Sequence, residues 1–209
     1  KLDAIFSTDG DGDRPLISDE NGEWIRGDIL GLLCSKLLNI EALAAPINCN
    51  TAIEISNVFK DCTRTKIGSP YVIAALNKFK IYSSSIAGFE ANGGFILYSD
   101  IKYNGNILKA LPTRDAVLPA IILLINGPIS KSLNALPSRF TSSNRIQNIS
   151  PEKSKEIISA LSNETNYSLK RLGIKNEYKS KNNLDGIRIF LDNDDIVHLR
   201  ASGNAPELR

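Results

Sequence analysis

The sequence predicts an α/β domain followed by a smaller α+β domain. Two observations carry that expectation. Over residues 29–130, short apolar strand-like runs alternate with helix-patterned stretches, the signature of a sheet layered with helices and containing parallel strands. Then the texture changes. Residues 134–148 hold Pro137, several serines and threonines and few apolar residues, and beyond them one long helical pattern precedes two strand patterns. A boundary is expected near Leu136-Pro137-Ser138.

Taken in order, Ala4-Ile5-Phe6 reads as a buried strand leading into Asp9-Gly10-Asp11-Gly12-Asp13-Arg14. Asp19-Glu20-Asn21-Gly22 is a turn signature. Asp28 ahead of Ile29, Leu30, Leu32, Leu33, Leu37 and Leu38 reads as an N-cap and an amphipathic helix. Leu43–Asn48 is a strand candidate, Thr51 opens a helix to about Phe59, and Thr63–Ile67 is the next strand. Gly68-Ser69-Pro70 starts a helix with proline in its first turn, running to about Phe79. Strands are expected at Ile81–Ile86 and Phe95–Tyr98, and a strongly apolar helix at Arg114–Ile125. In the second domain, Ser150-Pro151-Glu152 opens a helix that ends at Gly173. Gly186–Leu191 and Ile196–Leu199 are strands joined by Asp192-Asn193-Asp194-Asp195.

Length and composition bound the rest. The 209 residues suit one large domain or two small ones, with 42% hydrophobic and 23% charged residues. The net charge is +2 and no basic run stands out, so nucleic acid is not implied. No apolar run approaches the roughly 20 residues that span a bilayer. The opening Lys-Leu-Asp is neither a signal peptide nor an initiating methionine, and the chain reads as a piece of something longer. Cys34, Cys49 and Cys62 lack metal-ligand spacing and are expected to stay reduced in a cytoplasm. The single histidine, His198, reads as a strand residue.

Three loops carry chemistry. In the first, Asp9, Asp11 and Asp13 alternate with glycines that let their oxygens converge, and converging carboxylates repel unless a cation neutralises them. Oxygen-only donors select a hard cation such as Mg²⁺ or Ca²⁺. A solvated acidic turn and the Asp-x-Asp motif of nucleotide-sugar glycosyltransferases compete with this reading. So does a calcium EF-hand, in which Glu20 would fall at position 12, although Arg14 then takes the glycine position. In the second loop, Gly88-Phe89-Glu90-Ala91-Asn92-Gly93-Gly94, a carboxylate and a carboxamide suit sugar hydroxyls, and an ordinary glycine-rich connection fits equally well. In the third, Arg200-Ala201-Ser202-Gly203-Asn204-Ala205-Pro206, a forked guanidinium, a hydroxyl and a glycine turn suit phosphate. Pro206 reads as the start of a helix whose N-terminus would add to the anion site.

In this order these motifs resemble the α-D-phosphohexomutase family, most closely its bacterial phosphomannomutase/phosphoglucomutase branch. Asp9–Arg14 resembles the family's magnesium loop, 88–94 its sugar-specificity loop and 200–206 its phosphate loop. Arg64-Thr65-Lys66-Ile67-Gly68-Ser69 resembles a further substrate-contacting segment. The resemblance implies a mixed-sheet α/β domain of the phosphohexomutase type followed by a smaller α+β C-terminal domain. It divides the chain into the end of the family's second domain (1–28), its third (29–136) and most of its fourth (137–209).

It further implies an enzyme that moves phosphate between C1 and C6 of a hexose through a bisphosphate. Asp9, Asp11 and Asp13 would hold Mg²⁺, with Arg14 beside it as a catalytic charge. Lys66, Gly68, Ser69, Glu90 and Asn92 would contact substrate, and Arg200, Ser202, Gly203 and Asn204 would hold the non-reacting phosphate. The expected partner is a hexose phosphate, with neither nucleic acid nor membrane. Nothing matches the family's phosphate-carrying serine segment; Thr141-Ser142-Ser143-Asn144 is nearest and lacks its histidine and proline. This chain alone is therefore expected to be inactive. Asn92 stands where serine is usual and Gly94 where histidine is usual, which leaves sugar preference open. A metal-dependent glycosyltransferase, or a non-catalytic phosphosugar-binding module, remain the rival readings.

Overall fold

A computed structural model of the chain describes residues 2–203 and 205–209. The chain forms two compact units that divide at Phe140/Thr141.

The first unit opens with an antiparallel sheet ordered β1-β2-β3, made of β1 (Ile5–Thr8), β2 (Pro15–Ser18) and β3 (Trp24–Ile25). Here the structure corrects the sequence reading. β1 is a strand but not a buried one: Ile5 and Phe6 are 44% and 42% exposed. It is the sheet's edge and pairs on one side only, with β2.

The core of the unit is a five-stranded sheet ordered β10-β7-β6-β4-β5. Its strands are β4 (Ala42–Pro46), β5 (Asp61–Thr65), β6 (Ile86–Phe89), β7 (Phe95–Leu97) and β10 (Leu111–Asp115). β4 pairs in parallel with both β5 and β6, whereas β7 and β10 run antiparallel, so the sheet is mixed. Side chains alternate across it as the pleat requires. Ala42, Ala44, Ile86 and Ile96 pack with Val72, Leu76 and Phe79 of α3 (Ser69–Phe79). Leu43, Ala45, Ala87, Phe89, Phe95 and Leu97 face the other way, onto α1 (Gly27–Leu37) and α4 (Val117–Ile125). Both faces of the inner strands β4, β6 and β7 are covered, and these carry no polar side chain, whereas the edge strands β5 and β10 hold charged and hydroxyl residues.

Several boundaries differ from expectation for identifiable reasons. α1 starts a residue before Asp28, whose buried carboxylate instead accepts the Asn50 N–H at 2.9 Å. α2 (Ala52–Ile55) is a single turn that does not reach Phe59. Ile81 is 86% exposed, because Tyr82 and Ser83 donate to the Phe79 carbonyl and close α3 there; the strand begins only at Ile86. The expected helix at 114–125 divides into β10 and α4. Asp115 Oδ1 accepts the N–H groups of Val117 (2.8 Å) and Leu118 (3.1 Å), so the helix begins after it and Arg114 lies on a strand. α3 matches expectation, with proline in its first turn.

Two further pieces complete the unit. β8 (Ile101–Tyr103) and β9 (Asn106–Leu108) form a hairpin turning at Asn104 and Gly105, both with positive φ (49° and 80°). α5 (Ile129–Asn134) receives Glu20 at its start, where Oε2 accepts Ile129 N at 3.0 Å and Ser130 N at 3.2 Å.

The second unit holds α6 (Pro151–Asn163), α7 (Thr165–Arg171) and an antiparallel sheet ordered β12-β13-β14, from β12 (Tyr178–Asn182), β13 (Ile187–Leu191) and β14 (Ile196–Leu199). Ser150 Oγ accepts the Lys153 N–H at 3.2 Å, the expected cap with proline behind it. Ile187, Ile189 and Leu191 face Leu161 and Leu169 to make the core. The single helix expected to Gly173 is broken at Glu164, whose φ and ψ of −121° and 55° end α6. Two short strands, β11 (Ile146–Gln147) and β15 (Glu207–Leu208), pair with each other.

Candidate functional site

The acidic loop is the turn between β1 and β2. Gly12 N–H donates to the Asp9 carbonyl at 3.1 Å, and a φ of 75° at Gly12 makes that turn possible. The result places carboxylate oxygens of Asp9, Asp11 and Asp13 within 4.8 Å of one another. Two guanidinium groups attend them. Arg14 lies 3.2 Å from Asp9 Oδ2 and 3.5 Å from Asp13 Oδ1. Arg114 Nη2 contacts Asp13 Oδ2. Asp13 Oδ1 is buried yet accepts no hydrogen bond. A clustered set of anionic oxygens with one buried acceptor unmet fits a hard divalent cation. The EF-hand alternative fails, because Glu20 caps α5 instead; the Ser130 hydroxyl, chiefly, holds its carboxyl below the usual range.

The second loop joins β6 to β7 and packs against the acidic turn. It is closed by Glu90 N–H to Gly94 O at 3.1 Å and Gly93 N–H to Glu90 O at 2.9 Å. Glu90 is 7% exposed, with Oε2 3.4 Å from Arg114 Nη1. Arg114 therefore touches a carboxylate in each loop. Its stem lies on Gly94, where a Cβ would stand 3.0 Å from Arg114 Cδ and 3.2 Å from the Asp13 carbonyl. On the other side, a Cβ at Gly27 would stand 2.3 Å from Gly93 N. Asn92 Oδ1 accepts the Gly94 N–H at 3.1 Å, which leaves its amide NH₂ to meet a ligand.

Sequence reasoning missed Arg114. It stood at the front of an apolar run, and its expected place at the start of a helix hid it. The available signal was the charged pair Arg114-Asp115 interrupting that run.

Lys66 and Gly68 lie between β5 and α3, and Ser69 is the first residue of α3. Since β4, β5 and β6 are parallel, this connection and the Glu90–Asn92 loop leave the same edge of the sheet, the carboxyl ends of its strands. Gly68 is the N-cap of α3 with a φ of 128°, and Lys66 Nζ sits 5.9 Å from the Tyr71 ring centre. Arg64, which opens the segment, is committed to the fold. It forks onto Glu54 at 2.7 Å twice and donates to the carbonyls of Pro46, Cys49 and Asn50 at 2.9–3.0 Å.

The third loop belongs to the second unit. Arg200 and Arg209 exchange backbone hydrogen bonds at 2.8 and 2.9 Å, and Ser202 N–H donates to the Glu207 carbonyl at 2.9 Å. The segment is thus a hairpin. Pro206 starts no helix, because the residues after it form β15, so the expected help of a helix N-terminus to an anion is absent. Glu207, 7% exposed, pairs with Arg145 at 3.3 Å and Arg209 at 3.0 Å. Arg200 Nη1 lies 3.5 Å from the Ala201 carbonyl, and burial lowers its proton affinity. Gly203 is exposed, and Asn204 lies outside the described residues. Next to this loop, His198 Nε2 is 2.7 Å from the Asp185 carbonyl, and burial lowers its pKa.

Comparison with known proteins follows the same lines. No protein-family model matches the chain. It is 54% identical over 213 residues to a phosphomannomutase of Salmonella muenchen, covering 100% of this chain and 45% of that protein. It is 40% identical over 219 residues to a phosphomannomutase of Sinorhizobium fredii (strain NBRC 101917 / NGR234), with the same coverage. The chain thus spans somewhat less than half the length of these relatives. Its fold superposes on a phosphoglucomutase/phosphomannomutase family protein from Burkholderia thailandensis with a TM-score of 0.72, over 99% of this chain and 41% of that one, at 17% identity. Among the described residues, no helix is long and apolar enough to cross a membrane.

Proposed function

This chain belongs to the α-D-phosphohexomutase family, and we propose that it is the metal-, sugar- and phosphate-binding portion of a phosphomannomutase/phosphoglucomutase. The parent enzyme would interconvert hexose 6-phosphate and hexose 1-phosphate through a bisphosphate, in the cytoplasm. Residues 1–28, 29–136 and 137–209 would be the end of the family's second domain, its third, and most of its fourth.

The observation that carries the reading is the junction of the three-carboxylate turn with the Glu90–Asn92 loop through Arg114. A mutase must hold a reacting phosphoryl group and the sugar's hydroxyls at fixed separation, and one guanidinium spans both loops. Asp9, Asp11 and Asp13 would hold Mg²⁺. Bound there, Mg²⁺ would neutralise charge on the transferring phosphoryl oxygens. Arg14 adds positive charge at the same place. Glu90 accepts from ring hydroxyls and the Asn92 amide donates to them. Lys66, Gly68 and Ser69 face substrate from the same sheet edge. Arg200, Ser202, Gly203 and Asn204 hold the phosphate that is not reacting. Chemistry requires a phosphate-carrying group, and no segment of this chain matches the family's serine, so binding and turnover separate.

The test is a calorimetric titration of mannose 6-phosphate, with Mg²⁺ present, into this chain and into Asp11→Asn and Glu90→Ala. Weak binding by the parent chain, lost in Glu90→Ala and reduced in Asp11→Asn, is expected, with no conversion of mannose 1-phosphate seen by phosphorus NMR. Binding of a nucleotide sugar in preference to the hexose phosphate would overturn the reading.

A further inference from the structure

We propose that Arg114 is a positioning residue that couples cation occupancy of the Asp9–Asp13 loop to the posture of Glu90. The inference rests on the metal reading of the acidic loop given above.

A guanidinium is a planar fork that can face two carboxylates at once. Arg114 does so, with Nη2 on Asp13 Oδ2 and Nη1 3.4 Å from Glu90 Oε2. All three side chains are largely shielded, at 27%, 19% and 9% exposure, so their interactions are weakly screened. The Arg114 stem rests on Gly94 and is confined there, so its head can redistribute between the two carboxylates without leaving them.

Asp13 is contested. It faces Arg114 through one oxygen and Arg14, at 3.5 Å, through the other, and it is also one of the three oxygen donors. When Asp13 shares its charge with a cation, its hold on Arg114 weakens and Glu90 becomes the stronger partner. Glu90 is then drawn into a fixed position for accepting a hydroxyl. Coupling of this kind is reciprocal: what Arg114 gives to Asp13 opposes entry of the cation.

The test is a Mg²⁺ titration of the whole chain followed by amide NMR. In wild type, the amides of Asp11–Asp13 and of Glu90–Gly94 should move with one midpoint. In Arg114→Gln, Mg²⁺ should bind about fivefold tighter, at the low end of ordinary site-to-site coupling, and the Glu90–Gly94 amides should cease to follow. Glu90→Gln should act in the opposite sense and weaken Mg²⁺, because Asp13 becomes the only charged partner of Arg114. Arg114→Lys keeps the charge and loses the fork, so affinity should stay near wild type with a partial response at Glu90. Opposite signs in the two glutamine variants cannot arise from simple loosening of the fold. The coupling is overturned if both variants shift affinity the same way, or if Glu90–Gly94 follows Mg²⁺ equally with and without Arg114. A response at Asp11–Asp13 alone in wild type overturns the coupling and keeps the metal reading. No response at Asp11–Asp13 removes both.

Discussion

A Cβ at Gly27 would stand 2.3 Å from Gly93 N, and a Cβ at Gly186 would stand 2.2 Å from the Leu199 carbonyl and 2.7 Å from Arg200 Cα. In each unit, then, a candidate loop rests against the rest of the fold through a residue with no side chain. What lies around the two seats differs. The Glu90–Gly94 loop springs from β6 and β7, whose apolar residues are among the most buried of the chain. The Arg200–Pro206 loop is held by a hairpin ladder and by the Arg145–Glu207–Arg209 cluster, over a core of a few aliphatic residues. The first is seated chiefly on packing, with the Arg114–Glu90 pair added to it, and the second on charge and backbone pairing. Packing resists salt and pH; ion pairs with partly exposed partners do not.

The largest expected effect probes the packed seat. Phe89→Ala removes a fully buried ring under the loop and should cost about 3–5 kcal/mol. Urea unfolding followed by the fluorescence of Trp24, the single tryptophan, reports it. A loss below 1 kcal/mol would show that the loop does not depend on its core. Next come Gly27→Ala and Gly186→Ala, each about 1–3 kcal/mol from forced backbone displacement. Amide shifts should concentrate at Glu90–Gly94 in the first and at Leu199–Gly203 in the second, and the reverse pattern would break the comparison. Gly186 also has a φ of 73°, so its replacement is strained twice over.

A smaller effect sharpens the contrast. Glu207→Gln should lose up to about 1 kcal/mol for each of its two pairs, because the arginine partners are solvent-exposed although Glu207 is buried, and the loss should shrink as salt rises. Phe89→Ala should show no such salt dependence. The smallest effect is on pH. Burial lowers the His198 pKa, so the folded form binds its proton less readily than the unfolded chain, whose histidine titrates near ~6.5. Stability from this group is complete above that value and is lost as pH falls through the lowered folded pKa. Thermal unfolding of the second unit should therefore decline from pH 7 to pH 5, and His198→Gln should flatten the decline. As His198 is the only histidine, proton NMR of its ring gives the pKa directly.

Local chemistry was readable from the sequence wherever the cause was local. Gly68-Ser69-Pro70 marked the start of α3 because proline fits a first turn, and Ser150-Pro151 marked α6 for the same reason. The three aspartates of the acidic turn converge because their spacing and their glycines are contiguous. What depended on distant pairing was not readable. Nothing in the letters near Arg114 says that Asp13 and Glu90 will stand on either side of it, since a turn, a loop and a strand far apart in the chain bring them together. Arg64 sat inside a segment that looked substrate-facing, yet carbonyls from the β4–α2 connection consume its guanidinium. Pro206 had the look of a helix start, but the pairing of β15 with β11 claimed the residues behind it. Ile5 and Phe6 had the pattern of a buried strand and lie at a sheet edge.

The β8–β9 hairpin has a practical use. Its tip, Asn104-Gly105, is exposed, and a Cβ placed on Gly105 would meet no atom within 4 Å. Exposed tips of this kind are where chains accept insertions. A short epitope, or a cysteine for dye attachment, placed between Asn104 and Gly105 would give this molecule an outward handle. A pulldown or single-molecule assay could then watch the acidic and Glu90 loops at work while leaving every residue of both as nature wrote it.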